Sequence, residues 1–115
     1  MDNQHKHIKG YRDLSAAEID LMNRIKAKGA ELISLQFEPK NLLDTQWATK
    51  RSDAQRSLDR PEGLGVDISQ GATDECREFQ RFEAAEPHRW VAIAKTDIQT
   101  GIMALVRAVA QPAGV

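Results

Sequence analysis

The chain has 115 residues, a formal net charge of −1, 41% apolar residues and only 5% aromatic ones. That length fits a single domain spanning 1–115, the shortage of aromatics argues against a β-sandwich, and the charge balance offers no basic surface for long nucleic acid. The lone Cys76 rules out an intrachain disulfide, and no run approaches the ~18 apolar residues of a membrane span, so a cytoplasmic protein with no membrane partner is expected.

Residues 1–14 read as a polar arm, and residues 15–37 as a first long helix. Ser15-Ala16-Ala17-Glu18 fits a capping box, with Leu14 and Ile19 at the positions of a hydrophobic staple. Pro39 sets the latest expected stop of that helix. Residues 38–86 form a polar middle segment. Within it Leu42–Leu58 is a candidate helix anchored by Trp47, Val66-Asp67-Ile68 a candidate extended stretch, and Thr73–Ala85 a short helix carrying Cys76, Phe79 and Phe82. Residues 87–111 read as a second long helix that starts at Pro87 and is closed by Pro112. Val91, Ala94, Ile98, Ile102, Leu105 and Val109 alternate at threes and fours as a packing seam, and Gly101 beside it suits close approach by a neighbour. The expected fold is mainly α. Two long helices make an antiparallel hairpin with a longer, partly helical middle insertion, assembled as a homo-oligomer.

Charge in unusual places marks the candidate sites. On a helical wheel Lys26 falls with Ile19, Met22, Ile25, Gly29, Leu32 and Ile33, away from Asp20, Asn23, Arg24, Ala27 and Glu31. Its stem packs on apolar surface with the ammonium reaching water, or it points into a pocket that holds an anion. Tyr11, the only tyrosine, covers a helix end or offers a flat face for a base. In the last helix Lys95 lies near the seam. Arg89, Thr96, Thr100 and Arg107 line another side as a solvated face or a second anion pocket.

Other chemistry is poorly supported. His5, His7 and His88 make no convincing metal-ligand cluster, Cys76 has no evident catalytic partner, and no phosphate-cradling glycine motif is present. No cofactor is implied and an enzyme is not expected.

The segment Gly10-Tyr11-Arg12-Asp13-Leu14-Ser15, running on through Ile19 to Lys26, resembles the opening of the phage anti-CBASS cyclic-oligonucleotide sponges. Arg89 to Val109 resembles their closing helix. The resemblance implies a homohexamer that sequesters cyclic dinucleotides, and in some members cyclic trinucleotides, without cleaving them, so that the effector of a bacterial antiphage defence stays inactive. It implies that Tyr11 stacks on a base and Lys26 meets a phosphate, with Arg89 and Thr96 serving a trinucleotide pocket. Typical members join the two helices by a shorter link than residues 38–86. The competing expectation is a helical oligomer that binds a host protein directly.

Overall fold

A computed structural model describes residues 12–113. The elements run in the order α1 (Ala16–Ser57), a short 3₁₀ turn (Pro61–Gly63), α2 (Asp74–Ala85) and α3 (Pro87–Ala110). Among the described residues there is no strand, and no helix is long and apolar enough to cross a membrane.

The expected start of α1 is built as a reciprocal cap. The Glu18 N–H donates to Ser15 Oγ at 3.1 Å, and the Ser15 N–H donates to a Glu18 carboxylate oxygen at 2.9 Å. Its expected end is wrong. The helix does not stop before Pro39 but continues to Ser57, absorbing the candidate helix from Leu42. A proline inside a helix removes one N–H and costs ~3 kcal/mol. Leu35, whose carbonyl loses that donor, is exposed, so water can replace the missing bond. The turns beyond it are sustained by packing against α2, which outweighs the local penalty.

The chain forms two compact units. The first comprises the described parts of Met1–Leu35 and Ala94–Val115. Here the start of α1 runs antiparallel to the end of α3. Gly29 is buried against Ile102, and Met22, Ile25, Ile33, Ile98, Val106 and Val109 are half-buried, whereas Leu32, expected on the same face of α1, is exposed. Three details of the expected seam change, the first being that Ala94 is exposed. Leu105 is 56% exposed while Val106 turns inward, as a 3.6-residue helix drifting from a strict heptad requires. Gly101 is exposed with nothing near its missing side chain, whereas Gly29 makes the close approach.

The second unit is Gln36–Ile93, built on a core of Ala54, Leu58, Ile68, Cys76 and Phe79, with Phe82 also buried. Thr73 caps α2 by accepting the Cys76 N–H at 3.1 Å. A ladder of polar contacts then ties α1 to the chain running back beside it: Ser57 with Thr73 (2.7 Å), Lys50 with Glu78 (3.3 Å), Trp47 with Glu83 (2.8 Å) and Asp44 with His88 (2.9 Å). Val66–Ile68 is not extended pairing but part of an irregular turn. Asp67 accepts the Ser69 N–H at 2.8 Å, and Gln80 donates to the carbonyls of Ile68 and Gly71. Between α2 and α3 the residue preceding Pro87 is barred from continuing the helix, and Glu86 takes a left-handed conformation at φ 49°.

Candidate functional site

Lys26 opens onto a cavity of about 590 Å³ in the first unit. Met22 and Lys26 reach it from α1. Ile102, Met103, Val106, Arg107 and Ala110 reach it from α3, and Arg12, Leu14 and Pro112 close its end. Seven of these ten residues are apolar and the other three are cations, with no carboxylate among them. An apolar floor with a few placed cations suits a flat, largely apolar ring system that carries negative charge. Each of the four cavities described in the second unit, by contrast, carries at least one carboxylate. A cavity of about 360 Å³ there sets Asp53, Asp74, Glu75 and Glu78 against a single cation, Lys50. Another is lined by Asp44 and Glu83.

Arg12 is heavily engaged with the protein itself. Its Nε donates to the Ala110 carbonyl at 3.1 Å, and its Nη2 donates to the Val109 carbonyl at 3.0 Å and to Glu18 at 2.5 Å. These carbonyls are among the last of α3, which have no partner inside the helix, and a guanidinium there also meets the negative helix end favourably. The neighbouring Arg107 carbonyl is taken by the Gln111 N–H at 2.8 Å, with Gln111 left-handed at φ 48° ahead of Pro112.

Glu18 therefore serves two partners, the Ser15 cap and Arg12. The Arg12 guanidinium, helped by the Ser15 N–H, holds its carboxyl down at about 2, against an ordinary value of 4.5. A depressed carboxylate contributes stability that is fully present above its unfolded value and lost as pH falls through its folded one. Glu78 behaves alike, held at about 2 by Arg81 and Lys50. Melting temperature is therefore expected to fall as pH is lowered from about 5 towards 2, and Glu18→Gln to flatten that acid limb by lowering the neutral-pH melting temperature while changing the value near pH 2 little. An unchanged acid limb in Glu18→Gln, followed by circular dichroism, would show that the Glu18 pairs contribute nothing.

The predicted site residues are distributed unevenly. Lys26 lines the cavity; Tyr11 lies outside the described residues. Arg89 is exposed, 3.2 Å from Glu86, and its guanidinium sits 5.5 Å from the centre of the Trp90 ring. Thr96 is exposed two turns further along α3, and neither it nor Arg89 lines the Lys26 cavity. Arg107, grouped from the sequence with Arg89 and Thr96, lines the Lys26 cavity instead. Arg12 was missed as an individual residue. Its only sequence signal was its place just ahead of the capping box.

Known proteins resemble this chain over nearly its whole length. Residues 3–110 match the family described as Acb2/Tad1, hairpin domain. The chain is 54% identical over 114 residues to Anti-CBASS protein 2 of Pseudomonas phage JBD67, covering 99% of each protein. That alignment runs through the middle, so residues 38–86 have a counterpart in this relative. The chain belongs to the Acb2/Tad1 hairpin family.

Proposed function

We propose that this protein is an anti-CBASS factor that acts in the cytoplasm of the host bacterium by sequestering cyclic oligonucleotide messengers without cleaving them. Its relationship to Anti-CBASS protein 2 supports the antiphage-defence context. The observation that carries the ligand class is the acid-free cavity with Lys26 on its wall. In this reading Met22, Ile102, Met103 and Val106 cover the faces of the bases, Lys26 meets a phosphate, and Tyr11 adds a stacking surface. Arg89 and Thr96 are assigned to a separate pocket for cyclic trinucleotides. The exposed Leu32, Leu35, Met103 and Leu105 suit burial between copies, and the assembly is taken as a homohexamer.

A thermal-shift panel of cyclic di-AMP, cyclic di-GMP, cyclic GMP–AMP and cyclic tri-AMP tests this on wild type, Tyr11→Ala, Lys26→Ala and Arg89→Ala. A dinucleotide at a hundredfold excess over its dissociation constant stabilises by about 2.7 kcal/mol, a readily measured shift. Tyr11→Ala and Lys26→Ala are expected to weaken dinucleotides at least tenfold and spare the trinucleotide, with Arg89→Ala doing the reverse. Heating the complex should return intact ligand. A cleaved product would mean an enzyme, and no shift with any ligand would favour direct binding to a host protein.

A further inference from the structure

The three cations of the cavity are not equivalent, and their difference carries a role for one of them. Arg12 spends its donors on protein acceptors: two α3 carbonyls almost a hundred residues away in sequence, and the Glu18 carboxylate. Its side chain is about one-third exposed, and it lines the same cavity as Lys26. A planar guanidinium can serve acceptors in three directions at once; an ammonium is a compact point charge without that fork.

We propose that Arg12 is a positioning residue for the ligand pocket, a clamp that locks the residue following Tyr11 to the end of α3 and so holds the cavity preorganised, without itself contacting a phosphate. The role rests on the reading that this cavity binds a cyclic dinucleotide. Preorganisation raises affinity by removing ordering costs that the ligand would otherwise meet, so loosening the clamp weakens binding with every direct contact still in place. Glu18 is the second half of the device, because the carboxylate that starts α1 also orients the guanidinium.

The test measures cyclic dinucleotide affinity by titration calorimetry and melting temperature in parallel, using the full chain well below each variant's melting point. The variants are Arg12→Gln, Arg12→Lys, Glu18→Gln, Ser15→Ala and Lys26→Ala. Arg12→Gln and Arg12→Lys should both bind about tenfold more weakly, since restoring the charge does not restore the fork. Glu18→Gln, which keeps a capping side chain but removes the charge from Arg12, should lose about threefold. Ser15→Ala, which weakens the cap alone, should lower the melting temperature and leave affinity within twofold of wild type. Salt dependence of affinity should stay as in wild type for Arg12→Gln and become shallower for Lys26→Ala, because Lys26, unlike the clamped Arg12, meets the ligand's charge in this reading. Recovery of affinity in Arg12→Lys would make Arg12 a direct phosphate contact and overturn the proposal. So would Arg12 variants that bind like wild type, or an affinity loss in Ser15→Ala matching theirs at equal melting temperature. Absence of dinucleotide binding by wild type would instead overturn the ligand assignment, and the clamp's role with it.

Discussion

Gly29→Leu is expected to destabilise the first unit by about 3 kcal/mol, the upper range for overpacking a filled core. A Cβ on Gly29 would stand 2.9 Å from Ile102 Cγ1 and 3.1 Å from its Cγ2, and closer still to Cδ1. The whole isoleucine side chain is in the way, so rotating one methyl does not relieve the overlap. Leucine favours the helix over glycine by up to about 1 kcal/mol, which is smaller than the packing cost. A fall in melting temperature of order 10 °C should follow. Because Ile102 is part of the cavity wall, the substitution should also weaken dinucleotide binding. The double variant Gly29→Leu with Ile102→Ala should recover much of the stability, since the new side chain fills the space vacated. A double variant no better than Gly29→Leu alone would mean the two residues are not in steric conflict.

The second large effect belongs to the other unit. Gly63→Ala should cost about 3 kcal/mol even though alanine is the smallest possible addition. A Cβ at Gly63 would lie 2.8 Å from the carbonyl carbon of Leu58 and 2.9 Å from its Cα, overlapping its oxygen. Main chain cannot swing aside as a side chain can. Moving it would disturb Leu58, which is buried in the core with Ala54 and Cys76. Urea denaturation should therefore show a lower midpoint for Gly63→Ala with little change in slope. A wild-type midpoint would refute the close approach.

The elements legible in the sequence were those announced by their ends. Ser15 and Glu18 mark the start of α1, Thr73 marks α2, and Pro87 opens α3. The far end of α1 was misread because Pro39 is a strong local signal, and the α2 packing that overrides it lies tens of residues away. The seam of α3 was right in kind and one residue off in detail at Leu105 and Val106, where a small angular drift decides which side chain is buried. Gly29 and Gly101 look alike in sequence, and only their neighbours separate them. For the site, the wheel position of Lys26 was informative because it set a cation among apolar residues. Arg12 was not legible, since its partners Val109 and Ala110 come close only when the helices have paired.

The ladder along the second unit bears on how that unit folds. Its rungs grow steadily more distant in sequence, from 16 residues at Ser57–Thr73 to 44 at Asp44–His88. Closing a longer loop costs more chain entropy, but each rung already made shortens the loop left for the next. The entropically favoured order is therefore a zipper that begins beside the 3₁₀ turn and ends where α3 begins. The long-range rungs of this ladder thus become local ones in order of formation, which favours quick folding of the segment that the sequence made look least structured.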